Sequence, residues 1–393
     1  MATYQMIPGT DAAPRFVRRE YLAFRPPEMA EAHAVADQAR GAIRPFESES
    51  RATTLEQAVA SRVGAAFGVA TASRDVALRL ALRAIAVESG VDVIVPVISA
   101  VSTASAVLLA GANPVLCDVD PATQLIGLEQ IERVRTPRTR AIIVTLLGGR
   151  PAALRELDHY ARENGLALIN DAGLALDAQH AGVNIARFGT LTVFGSDHPR
   201  AGKPHEGGLI VTDDQAVAGR LNQARRGAER DSAVLTTEEE TPGQGLRMSA
   251  AQASEGLHFV ESLDALSRRH RAIWNRYDEA LAGQPVLKPL PTKPGDRHGL
   301  GFYSIQVGEG SCRGGRDEAA LVLHQARIGT GVHYRGLHLH PRFRDGLGYA
   351  PADFPVANRI SAQTLSLPLS AAMSDADVED VIGVLVELLE QPK

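Results

Sequence analysis

Between residues 69 and 171 the chain alternates short, nearly unbroken apolar runs with segments whose apolar residues recur at helical spacing. VATAS at 69–73, VDVIVPV at 91–97, PVLCDVD at 114–120, RAIIVTLL at 140–147 and LALIND at 166–171 read as strands. Residues 75–88, 102–112, 128–134 and 151–165 read as the helices between them, and 55–68 as a helix ahead of the first strand. Strands that are apolar on both faces and take turns with helices predict an α/β fold, a mostly parallel central sheet with helices on both faces. GTLTVFG at 189–195 and GGLIVTD at 207–213 add two strands. The polar stretch 228–246 predicts a mobile loop. A charged helix at about 248–284, a strand at 302–307, a helix at 316–326 and an amphipathic helix from 374 follow, the last with a Ser/Asp-rich start typical of a cap. This divides the chain into a large domain with an N-terminal arm, residues 1–255, and a smaller C-terminal α+β domain, residues 256–393.

Composition narrows the function classes. A formal net charge of −5 leaves no basic footprint, so nucleic acid is not an expected partner. Cys117 and Cys312 are the only cysteines, which provides neither a disulfide framework nor a metal cluster and fits a reducing cytoplasm. The opening MATYQMIPGTDAAPRF lacks an apolar core, so no signal peptide is expected, and no run of about 18 apolar residues suggests a membrane span.

Several segments, taken in order, resemble the DegT/StrS-type sugar aminotransferases, pyridoxal-phosphate (PLP) enzymes of fold type I. They are GVDVIVPV, AVLLAGANPVLCDVDPAT, YARENGLALINDAG, RMSAAQA with RRHRAIWNRYDEAL, RIGTGVHYRGLHLHP and SLPLSAAMSDADV, collinear from about residue 25 to 390. The resemblance implies a fold type I aminotransferase-like architecture and a homodimer. It also implies an active site in which Asp171, in INDAG, pairs with the pyridine nitrogen of the cofactor.

Around that aspartate the chain departs from the family. The lysine that carries the cofactor is expected four residues after Phe194, and His198 stands there. An imidazole cannot form a Schiff base. Lys203 lies only four residues before Gly207, too near the next strand to replace it. The Ser-Gly-Thr phosphate turn reads Ser73, Arg74 and Asp75, and a carboxylate there repels phosphate. The stacking aromatic corresponds to Ala100, the Gln after the aspartate to Leu174, the Ser ahead of the Phe to Val193, and the Asn lent by the partner subunit to Gly245. One contact is kept and six are altered, which points to lost or greatly weakened cofactor binding.

The expected enzyme is therefore a repurposed aminotransferase fold in secondary-metabolite or sugar biosynthesis that uses protein acid and base groups. Dehydration, epimerisation, cyclisation or condensation beside a carbonyl would fit, whereas a transaminase would not. His198 is the candidate base, since an imidazole titrates near neutrality. Asp171 is its candidate partner or an acid; the plainer role for this carboxylate is to cap a helix or meet Arg74. Arg74, Asp75, Asp197, Arg200, His333, Tyr334 and His338 are candidate substrate-binding residues. Arg225, Arg226 and Arg247 add basic character near the expected cleft, Arg247 in a structural part. His333, His338 and His340 do not have the spacing of a zinc site, and no metal is expected. Two alternatives stay open. In one, pyridoxamine phosphate (PMP) or PLP binds non-covalently and His198 is the base, as in the sugar 3-dehydratases of this family. In the other, the chain is a non-catalytic subunit of a heterodimer with an active aminotransferase.

Overall fold

The computed structural model of the chain describes residues 17–18, 20–23, 47–173, 175–195, 199–200, 203–204, 207–225, 246–284, 287–290, 292–308 and 314–390, with 47–50, 199–200, 203–204, 288 and 389–390 described by their backbone alone. Helix α1 (Glu47–Val63) leads into strand β1 (Phe67–Thr71), then α2 (Arg74–Ala84), β2 (Asp92–Pro96), α3 (Val101–Leu109), β3 (Asn113–Cys117), α4 (Leu128–Val134), β4 (Thr139–Thr145), α5 (Leu154–Glu163) and β5 (Ala167–Gly173). Strands β6 (Leu191–Gly195) and β7 (Gly208–Thr212) and helix α6 (Gln215–Arg225) complete this part.

The seven strands form one sheet in the order β1-β7-β6-β5-β4-β2-β3. Strands β2 to β6 run parallel, and β7 is antiparallel to both of its neighbours. Every residue of β2, β6 and β7 is buried, as the unbroken apolar runs require of strands covered on both faces. The one amide in β5, Asn170, is fully buried and donates to the Phe188 carbonyl at 2.7 Å and to Thr192 Oγ1 at 3.1 Å. These bonds offset the cost of placing an amide in an apolar layer.

The long helix α7 (Ala250–Leu281) starts at a capping box, Ser249 with Gln252, and joins two apolar clusters. Phe259, Leu263 and Leu266 belong to the sheet cluster, while Ile273, Trp274, Tyr277 and Leu281 belong to a second one. That second cluster packs the antiparallel sheet β8 (Leu287–Pro289), β9 (Tyr303–Val307) and β10 (Thr364–Leu367) against α8 (Gly315–Gln325) and α11 (Asp375–Glu390). The expected boundary at residues 255 and 256 lies inside α7, and the clusters part between Leu266 and Ile273. Helices α9 (Pro341–Leu347) and α10 (Pro355–Gln363) bring Phe343, Ala357 and Ile360 back to the sheet cluster. A helix whose face is apolar along its whole length serves both clusters, so no linker separates them.

Candidate functional site

The C-terminal ends of parallel strands, where the chain turns into helix starts, are where α/β folds present ligand-binding groups. Here β1 ends at Thr71 and Ser73 caps α2, its hydroxyl accepting from Val76 N at 3.2 Å. The cap places Arg74 as the first helical residue. β5 ends in a register shift at Asp171–Gly173, and Asp171 lies between Thr145 of β4 and Val193 of β6. Such a shift bends a strand and re-aims its side chains.

Arg74 and Asp171 meet in a two-pronged ion pair. Arg74 Nε donates to Asp171 Oδ1 at 2.9 Å and Arg74 Nη2 to Oδ2 at 2.7 Å. Thr103 Oγ1, from the first turn of α3, donates to Oδ2 at 2.9 Å. The carboxylate is fully buried and the guanidinium is 14% exposed. Of the roles anticipated for Asp171, the contact with Arg74 is present among the described residues. Both of its oxygens are engaged by the protein, so as placed it does not offer its charge to a pyridine nitrogen. Ala100, at the N-cap of α3, brings no ring, and Val193 is wholly buried in the sheet. The described residues therefore do not fit the family's cofactor in its usual pose.

The pair forms one wall of a cavity of about 340 Å³, closed by the Leu147–Gly149 turn, by Gly301 and Phe302, and by His333 and Tyr334. Phe302 stacks on the His333 ring at a centroid distance of 4.4 Å and an angle of 23°. His333 Nδ1 lies 2.9 Å from Ser366 Oγ, which is 2.6 Å from Ser304 Oγ. This chain of groups holds the imidazole edge-on to β10. Thr145 also lines the cavity, and its buried hydroxyl has no hydrogen-bond partner among the described residues. A buried hydroxyl left this way is costly unless a ligand or water completes it.

The other candidate residues are distributed as follows. Asp75 is exposed on the first turn of α2 and is not a lining residue. His338 is fully buried, with Nε2 2.7 Å from Asn358 Oδ1 and its ring against Phe354, and it does not line the cavity. Residues 337–339 form a tight 3-10 turn between Gly336 and α9, which turns the His338 ring into the core. Arg225 Nη1 is held by Glu56 and by the Ala70 carbonyl at 3.0 Å, away from the cavity lining. Among the described residues no group of three side chains could hold a metal ion. His198, Asp197, Leu174, Arg226, Gly245, Cys312 and most of the loop at 228–246 lie outside the described residues, as do the side chains of Arg200 and Lys203.

Sequence reasoning passed over Thr103, Thr145 and Phe302. Thr145 could have been found as the polar end of an otherwise apolar strand, and Thr103 as a hydroxyl one turn beyond Ala100. Phe302 carries no local signal, because its role depends on a loop folding back over the sheet.

That loop bears His298, which is buried, packs against Trp274 at 4.3 Å and accepts from Leu300 N at Nδ1, at 2.8 Å. Burial, then the charges of Arg150 and Arg271, hold its pKa well below the ordinary 6.5. The folded protein keeps His298 neutral, whereas below pH 6.5 the unfolded chain takes up a proton. Stability is thus expected to fall as pH drops through 6.5, by up to about 1.4 kcal/mol per pH unit from this residue. His298→Gln should flatten that slope in urea titrations between pH 7 and 5; an unchanged slope would show that His298 is not its source.

A seven-stranded sheet with one reversed strand, bearing a buried aspartate at the end of β5, is the architecture of fold type I aminotransferases. The chain belongs to the DegT/DnrJ/EryC1/StrS aminotransferase family, whose model matches residues 31–386. It is 32% identical to the spore coat polysaccharide biosynthesis protein SpsC of Bacillus subtilis over 345 residues, 86% of this chain and 89% of that protein. Among solved structures it resembles DesV of S. venezuelae, in complex with a ketimine intermediate, at a TM-score of 0.83 and 27% identity, covering 93% of this chain and 95% of that one. It also resembles DesI, solved in the presence of its TDP-sugar product, at a TM-score of 0.82 and 26% identity, with 96% and 95% covered. Among the described residues, no helix is long and apolar enough to cross a membrane.

Proposed function

We propose that the chain acts on a sugar or sugar nucleotide through its own acid and base groups, without a covalently held pyridoxal cofactor, as a homodimer. The observation that carries this reading is the Arg74–Asp171 pair. A guanidinium made by the chain takes up the carboxylate that the family's aspartate gives to a cofactor ring. His198 standing where the lysine is expected points the same way.

In this reading Arg74, fixed by Asp171, whose carboxylate Thr103 holds in turn, offers fixed positive charge to an oxygen of the substrate, and the Thr145 hydroxyl offers a hydrogen bond. His198 takes the proton from the carbon beside a substrate carbonyl, the C–H electron pair forms the enolate C=C bond, and the carbonyl π pair moves onto the oxygen. Protonation of the enolate by solvent on the other face gives epimerisation, and expulsion of a β-hydroxyl, which takes the proton from the His198 imidazolium and leaves as water, gives dehydration. His333, held by Ser366 and stacked on Phe302, also lines the cavity.

The test is solvent exchange. Protein incubated in D2O with a panel of TDP-linked keto sugars should place deuterium beside the carbonyl with no PLP or PMP added. His198→Ala should remove that exchange by about 100-fold or more. Exchange that appears only when PMP is supplied would instead support the dehydratase-like alternative.

A further inference from the structure

A second cleft, of about 410 Å³, lies on the other side of the 297–302 loop. Gly301 and Phe302 line the first cavity, and Gly299 and Leu300 line this one. The loop is fixed to the Leu147–Gly149 turn by Gly299 N to Gly149 O and Gly301 N to Gly148 O, each 2.8 Å. The opposite wall is one stripe of α7, Asp264, Ser267, Arg268 and Arg271, which recur at the spacing of a single helix face.

The charges in this cleft do not cancel. Arg62, Arg268, Arg271 and Arg297 face only Asp177 and Asp264. Both carboxylates are already claimed. Arg62 grips Asp177 with two bonds of 2.9 Å and also reaches Asp264, while Arg297 Nη2 lies 3.7 Å from Asp177. Arg271 is half-buried, and its hydrogen bond is to the His298 carbonyl, at 3.1 Å. Neither Arg268 nor Arg271 has a carboxylate of the described residues within ion-pair distance. Among the described residues, the half-buried Arg271 has only the more distant Asp278 to offset its desolvation, and its planar fork is suited to two oxygens of a phosphate.

We propose that the cleft between α7 and the 297–300 loop is a binding site for a phosphate-class oxyanion, held by Arg268 and Arg271 and separate from the cavity at Arg74. It places the anion on the outer face of the wall that bounds the first cavity.

Calorimetric titration of the full chain with sodium pyrophosphate, against sodium chloride at matched ionic strength, tests this. Pyrophosphate should bind, more weakly as salt rises. Arg268→Ala and Arg271→Met should each weaken binding by roughly 10-fold, and Arg271→Lys by less. Arg74→Ala should leave it intact. Circular dichroism and the urea midpoint show whether each variant is folded, and Arg268, which is exposed, tolerates replacement best. The site is overturned if pyrophosphate does not bind, or if binding persists in Arg268→Ala/Arg271→Met. Loss in Arg74→Ala alone would overturn it as well. So would sedimentation showing that Arg268→Glu dissociates a dimer, since a second copy would then cover the cleft.

Discussion

Arg74→Met is expected to lower the free energy of unfolding by about 3–5 kcal/mol. The replacement keeps the apolar stem and removes the guanidinium. Asp171, fully buried, is left with one hydrogen bond from Thr103 and no opposite charge. Most of the loss is the desolvation of that carboxylate, so a second substitution that removes the charge should return much of it. Arg74→Met/Asp171→Leu should be markedly more stable than Arg74→Met alone, giving a coupling of roughly 2 kcal/mol or more in a double-mutant cycle. Urea unfolding of the four proteins measures it. A loss below about 1 kcal/mol for Arg74→Met would mean that the pair behaves like a surface bridge, and the account of the site would fail with it.

Gly208→Ala should be nearly as damaging, for a steric reason. Gly208 opens β7 opposite Thr71 of β1 and Gly195 of β6. A Cβ there would sit 2.3 Å from the Ser73 carbonyl oxygen and 2.5 Å from Thr71 Oγ1. Backbone and not a flexible side-chain tip must yield, so β1 and β7 separate at the point where Ser73 caps α2. The expected cost is about 3 kcal/mol, near the upper end for overpacking. Arg74 would shift with the cap, so ligand affinity at the cavity should fall in the same variant. Gly219, inside α6 with open space around its Cβ position, is the control. Gly219→Ala should stabilise the protein by roughly 0.5–1 kcal/mol. Equal behaviour of the two variants in thermal unfolding would rule out the close-approach explanation.

The parallel core was legible because its strands are buried on both faces and therefore apolar throughout. Strands β2, β4 and β5 fall within one or two residues of the runs that predicted them. The short strands β8 and β10 and the helices α9 and α10 were not legible. Their burial comes from folding against the second cluster or back onto the sheet, and a three- or four-residue strand has too little pattern to stand out. The change at Arg74 was visible as a Gly-to-Arg departure from the family turn, but its partner was only one of several open possibilities. Ninety-seven positions separate Arg74 from Asp171, and only the packing of α2 and α3 over β5 brings the two together. His338 misled for a related reason: the histidine-rich stretch 333–340 looks like one site, yet His333 lines the cavity while the 3-10 turn at 337–339 sends His338 into the core.

We propose that the chain's own guanidinium has taken the place of the cofactor ring at Asp171. Titration of the purified protein with PLP, and separately with PMP, by absorbance and calorimetry tests it most directly. The expected result is no binding of either up to millimolar concentration and no adduct fixed by borohydride, with Arg74→Gly gaining measurable affinity for PMP. Tight binding of PLP or PMP to the unaltered protein would show that Arg74 yields Asp171 to the cofactor, and would contradict the claim.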